Sequence, residues 1–194
     1  MAKAAKFDRH QVIEKATNLY WKKGFHGTSM RNLQDEIDMR PGSIYAAFGS
    51  KEALFKHALD NYTDNGKTLL QQCLNRHDSA IEALKHFTRL IVIESRTQAP
   101  NGMCMLAKTI AELTEEQHEL LNYAKQCYQS MEQAFASVLE IAQQQGEIEA
   151  DKDVHQLARH LQIQISGLRT YAKGSSGDLP LEQMIDEVFT HYPF

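Results

Sequence analysis

An all-α fold is what this chain predicts, and three features carry that expectation. Apolar residues recur at steps of three and four along most of its length. No stretch alternates apolar and polar residues with the period of two that a half-buried strand needs. Helix starts and stops punctuate the pattern, with Asp8, Thr28 and Ser50 where N-caps belong and Gly24 and Gly146 where helices end. About nine helices result, a three-helix N-terminal unit followed by a helical bundle.

The first helix follows Asp8, buries Val12, Ile13, Ala16, Leu19 and Tyr20, and ends at Gly24. Thr28 caps the second, whose inner face is Met30, Leu33 and Ile37. Pro41 opens the third, where a missing backbone donor costs nothing, and Ile44 and Phe48 turn inward. Ser50 caps the fourth, Glu52 complements its positive first turn, and Leu54, Phe55, Ala58, Leu59 and Tyr62 form its apolar face. Asn65-Gly66 weakens the middle of that helix, which can continue through Leu69, Leu70, Cys73 and Leu74.

Asp78 or Ser79 starts a fifth helix, and its run from Leu90 to Ile93 leaves so little polar face that it must be surrounded. Ala99-Pro100-Asn101-Gly102 is a break, and a short sixth helix spans Met103 to Leu113. Thr114 opens a long seventh, in which Leu121, Ala124, Tyr128, Met131, Phe135, Val138 and Ala142 make a bundle seam. The eighth runs from Asp151 or Asp153 to Tyr171. The ninth starts at Pro180 and keeps Leu181, Met184, Ile185 and Val188 on one side.

Composition narrows the function classes. The 194 residues suffice for a sizeable core without staples. No apolar run approaches the roughly 20 residues that span a bilayer, and the N-terminus has no apolar leader segment. Three cysteines, Cys73, Cys104 and Cys127, form no CxxC pair, which points to a reducing, cytoplasmic setting. The net charge is −4, but it is unevenly spread. Residues 1–57 carry ten Lys/Arg against six Asp/Glu, and the remainder eleven against nineteen. A basic module on an acidic body suits a polyanionic partner, because affinity follows the local face and not the total.

The segment from Thr28 to Lys51 supplies what a helix-turn-helix needs. Residues 8–23 form the anchoring helix, Asp38-Met39-Arg40 the turn, and the helix after Pro41 has an outer face thin enough for a major groove. Gly42, Ser43, Ala46 and Ala47 make that face. Ser43 can bond a base edge or phosphate, and an alanine methyl can meet a thymine methyl. Tyr45 and Lys51 stand at the flanks for backbone phosphates. Thr28 and Arg31 begin the second helix, where amides and dipole favour a phosphate. Lys3, Lys6 and Arg9 form a basic arm.

Three ordered sub-motifs make the segment similar to the DNA-binding region of the TetR family of bacterial regulators. They are Gly24-Phe25-His26-Gly27-Thr28-Ser29, Gly42-Ser43-Ile44-Tyr45-Ala46-Ala47-Phe48 and Ser50-Lys51-Glu52-Ala53-Leu54. The chain departs from the family pattern at Asp38, where a turn glycine is usual, at Arg40-Pro41, where Ser-Lys is usual, and at Ala46-Ala47, where bulkier polar residues are usual. The resemblance implies a DNA-binding unit over residues 6–66, with its helix-turn-helix at about 28–48, and a ligand-binding and dimerisation unit over 67–194. It implies a double-stranded operator, a homodimer, and a repressor released by a small molecule. A ligand-independent, DNA-bound interaction protein of the same fold is the alternative.

The resemblance implies a dimer built from the last two helices of each subunit, at Leu157, Leu161, Leu168, Ile185 and Val188, and apolar residues on more than one face of the eighth helix agree with it. The resemblance also implies a small-molecule pocket among helices five to eight, for which the candidate residues are Phe87, Ile91, Met103, Cys104, Ala107, Tyr123, Cys127, Tyr128 and Met131. Cys104 should fall in the first turn of the sixth helix, where a helix N-terminus and Lys108 favour thiolate and modification by an electrophile or oxidant. Gly102-Met103-Cys104-Met105-Leu106-Ala107-Lys108 also resembles TetR members that sense reactive electrophiles. No phosphate loop, GxSxG or HExxH occurs, so the sequence calls for no catalysis, no metal and no cofactor.

Overall fold

A computed structural model describes residues 7–190 and 193–194; Lys3 and Lys6 lie outside the described residues. The described residues form nine helices and no strand. They are α1 (Arg9–Lys23), α2 (Met30–Ile37), α3 (Pro41–Phe48), α4 (Lys51–Arg76), α5 (Ala80–Arg89), α6 (Met105–Glu112), α7 (His118–Gln144), α8 (Val154–Gly174) and α9 (Leu181–Val188). α5 runs on through a π-helical turn, Leu90–Glu94, into a last short turn, Ser95–Gln98.

Local signals set most boundaries. Asp8, Ser50, Ser79 and Asp153 accept backbone amides at the starts of α1, α4, α5 and α8. α4 passes through Asn65-Gly66 unbroken, because Leu70 and Cys73 are buried beyond it and tertiary packing outweighs the propensity cost. Two boundaries differ from expectation. Thr28 is not the cap of α2: its side chain is fully buried, and its hydroxyl donates to Gly24 O at 2.6 Å. Ser29 is the cap instead, in a reciprocal box with Asn32. Thr114 opens a 3-10 turn, Glu115–Gln117, which leads into α7.

The apolar side chains gather in two clusters. The first packs Val12, Tyr20, Phe25, Leu33, Ile44, Phe48 and Phe55, and recruits Leu106 and Leu113 from the α6 region and Leu121 and Ala124 from α7. The second joins the end of α4 to α5, the C-terminal half of α7, α8 and α9 around Leu84, Phe87, Phe135, Leu139 and Leu161. α4 is common to both, through Leu59 and Leu70. No described helix is long and apolar enough to cross a membrane.

Candidate nucleic-acid interface and internal cavity

α1 to α4 form a compact reader around the first cluster. Tyr20 lies edge-on to Phe55 at 4.7 Å between ring centroids, and Phe25 packs on the other side of Phe55 at 5.1 Å. This leaves α3 outermost, with Ile44 and Phe48 buried beneath it. Asp38 holds the turn between α2 and α3 in the left-handed region, at φ 53°. Glycine adopts this conformation freely, and aspartate is one of the few other residues that tolerates it.

The outer face carries most of the residues expected at DNA. Gly42, Tyr45 and Ala46 are exposed, and Ser43 and Ala47 half-buried. Arg31 is exposed on α2. Arg40, which sequence reasoning treated only as part of the turn, is exposed at the N-cap of α3 and joins this face. An arginine directly before a first-turn proline was the signal for it. Two expected contacts turn inward instead, and a third, Arg9, stays exposed but is bonded to the reader itself. Thr28 is buried as described. The Lys51 ammonium donates to Phe25 O at 2.7 Å and lies 4.1 Å from the Phe25 ring centroid. Burial lowers its pKa from the ordinary lysine value, and its work is to hold the α1–α2 turn to α4. Arg9 donates to Ala47 O at 3.0 Å and stacks over Phe48 at 4.5 Å.

The reader is tied to the body by α6. Lys108 Nζ donates to Trp21 O and Lys22 O, the orphan carbonyls at the C-terminus of α1. One turn on, the Glu112 carboxylate accepts from the amides of Phe25 and His26 at 3.2 and 2.7 Å. Gly24 makes this possible, since it has φ 80° and a Cβ there would collide with that carboxylate. Trp21 Nε1 donates to Met103 O at 2.7 Å just before α6.

A cavity of about 260 Å³ lies at the seam of the two clusters. Of the expected pocket residues, Phe87, Ile91, Cys104, Tyr128 and Met131 line it. Met103, Ala107, Tyr123 and Cys127 do not. The Met103 carbonyl is taken by Trp21 and Arg169, the Tyr123 hydroxyl donates to Asp60 at 2.7 Å, and Cys127 is buried in the first cluster. Sequence reasoning missed the wall contributed by α1 (Glu14, Thr17, Asn18 and Trp21) and the buried Arg169. No local pattern signals a wall assembled from segments this distant. Cys104 is half-buried at the N-cap of α6, not in its first turn, while burial raises the thiol pKa of Cys73 and Cys127.

The expected dimer residues are also corrected. Leu157, Leu161, Leu168, Ile185 and Val188 are all buried in the subunit's own second cluster. The apolar residues that α8 exposes are Ile163, 66% accessible, and Tyr171, 48%, on either side of the exposed Gly167. The eighth helix does have two apolar faces, one inside the subunit's own cluster and one exposed.

An all-helical reader with a thin outer helix, tied to a bundle with an internal cavity, defines a helix-turn-helix transcription regulator. Residues 12–58 match the family model for bacterial regulatory proteins of the tetR family, and residues 80–187 match that for the tetracyclin repressor-like C-terminal domain. The chain belongs to the TetR family. It is similar to the HTH-type transcriptional repressor ComR of Escherichia coli, 25% identical over 96% of this chain and 90% of ComR. It is similar to the HTH-type regulator YezE of Bacillus subtilis, 26% identical over 96% of each. In three dimensions it resembles a cysteine mutant of the regulator CifR, solved with 26-bp operator DNA. There the TM-score is 0.86 at 25% identity, over 98% of this chain and all of that one.

Proposed function

We propose that this chain represses transcription as a homodimer bound to a palindromic operator in the cytoplasm, and that an effector in the seam cavity releases it. On this reading residues 6–66 read DNA and residues 67–194 take the effector and dimerise. Gly42, Ser43 and Ala46 meet bases, and Tyr45, Arg31 and Arg40 hold phosphates. Two α3 helices then sit about 34–36 Å apart, one turn of duplex. The exposed Ile163–Gly167–Tyr171 stripe of α8 supplies the contact between subunits.

One observation carries the switch: Glu14, Thr17, Asn18 and Trp21 of α1 form a wall of the cavity. An occupant therefore touches the helix that anchors the reader. It also touches Cys104, whose neighbour Met103 is bonded to Trp21 and whose helix grips the α1–α2 turn. Release needs only that the occupant favour an α6 position that α1 cannot share with operator-bound spacing. Cys104 opens a second entry to the same switch, by a thiol-reactive effector. A closed, well-packed body would have favoured a ligand-independent role, and the cavity speaks for the regulator.

In-vitro selection of bound DNA tests the reading, followed by release of the selected site. A palindrome should emerge. Thiol-reactive reagents should release it from the native protein and not from Cys104→Ser, whereas equal release from both removes the thiol route. Failure to select any palindrome sinks the operator model itself.

A further inference from the structure

Arg169 is 4% exposed and lines the cavity. Nε donates to Gly102 O at 2.9 Å, NH2 to Met103 O at 3.1 Å, and NH1 to the Tyr62 hydroxyl at 3.1 Å. All three acceptors are neutral. No carboxylate lies within 4.0 Å of the guanidinium among the described residues. Glu14, which also lines the cavity, is exposed on α1 and makes no ion pair with it. A guanidinium has five N–H donors and cannot shed its charge, so two donors stay free and the charge meets no carboxylate, only the ring face of Trp21 at 5.8 Å. A buried charge without a counter-charge is costly and is retained where something anionic completes it.

The surroundings fit one kind of occupant. Burial, with the neighbouring Cys104 thiol adding to it, raises the pKa of the Tyr62 phenol, which therefore keeps its proton between Cys104 and Arg169, where a bound anion can compete for it. Away from Arg169, the wall is built from the second cluster: Leu69, Phe87, Ile91, Phe135 and Ile165. The volume falls just below the usual range of about 300–1,000 Å³ for ligand pockets, so the occupant is small.

We infer that the cavity takes a small amphipathic anion, a carboxylate-bearing molecule whose charged group completes Arg169 and bonds Tyr62 while its apolar tail lies against α4, α5, α7 and α8. This rests on the cavity being the effector site proposed above. Arginine at such a position suits a planar carboxylate, because its fork can pair both oxygens.

Trp21 makes the test direct, being the single tryptophan of the chain and part of the cavity wall. Its fluorescence is titrated with octanoate and with the isosteric neutral octanamide. The native protein should bind octanoate at least tenfold more tightly. In Arg169→Gln, which keeps amide donors for the loop carbonyls, the ratio should fall to near one. Tyr62→Phe should weaken octanoate severalfold with little effect on octanamide, and it serves on its own if Arg169→Gln does not fold. Equal binding of both probes by the native protein overturns the anion assignment and leaves a neutral-ligand cavity standing. Binding of neither probe, with octanol equally inert, overturns the cavity as an effector site and this inference with it.

Discussion

The outer face of α3 is made of small residues and the wall of the cavity mostly of large apolar and aromatic ones, and the two are assembled in opposite ways. The reader is local. Its turn, caps and exposed face come from a continuous stretch of chain, with Asp38, Ser29 and Ser50 each acting on residues next to them. The cavity wall draws on α1, α4, α5, α6, α7 and α8, and its polar groups bond across the chain. Trp21 reaches Met103 and Arg169 reaches Tyr62. A reader built locally can hold its shape while it is moved as a unit. A cavity built from everywhere changes shape whenever any of its walls shifts, which is what a sensor needs.

The largest expected effect tests whether the reader is separable at all. Its core includes Met105, Leu106, Leu120 and Leu121 from α6 and α7, so it is local in pattern but shared in packing. Phe55, fully buried between Tyr20 and Phe25, should cost about 3–5 kcal/mol when cut to alanine. Unfolding in urea should remain one transition in which helical signal and Trp21 fluorescence change together. A separate early step confined to the reader would break the comparison in favour of an autonomous module.

Next is the tether. Glu112→Ala leaves the amides of Phe25 and His26 without their carboxylate and should cost about 1.5–3 kcal/mol. If α6 transmits the effector signal, this variant should also bind operator with an affinity that effector changes less than in the native protein. Unchanged effector response, with the stability loss present, would move transmission from α6 to α4.

What could be read in the sequence follows the same division. The nine helices, the caps at Asp8, Ser50 and Ser79, the exposed Gly42–Ala46 face and the special turn at Asp38 were legible because each depends on neighbours within one or two turns. The inward turn of Lys51 was not, since its acceptor, Phe25 O, is 26 residues away. Nor was the choice between the two apolar faces of α8. Periodicity shows that α8 has apolar residues on two sides, and only the tertiary arrangement says that Leu161 is the subunit's own and Ile163 faces out. Nor was the burial of Arg169, whose partners Tyr62, Gly102 and Met103 lie 66 to 107 residues away.

Lys51 and the two exposed arginines sharpen the line between holding the reader and touching DNA. Arg31→Ala and Arg40→Ala should each flatten the slope of log affinity against log salt by about 1, with melting temperature unchanged. Lys51→Met should do the reverse. It should cost about 1–2 kcal/mol of stability through the lost bond to Phe25 O, and leave the salt slope as it was. A flattened slope in Lys51→Met would return that residue to the phosphate backbone.

The smallest effect sits at the turn. Asp38 has φ 53°, where a Cβ crowds the backbone at a cost of roughly 1–2 kcal/mol that aspartate only partly avoids. Glycine removes that strain but adds freedom to the unfolded chain, and the two oppose each other. The balance predicts that Asp38→Gly stabilises the protein by up to about 1 kcal/mol, read as a rise in melting temperature. The turn also sets the angle between α2 and α3, so operator affinity is the second reading on the same variant. Higher stability with unaltered affinity means that the backbone alone fixes the angle. A loss of affinity despite higher stability would mean that the strained residue is part of how this reader is aimed.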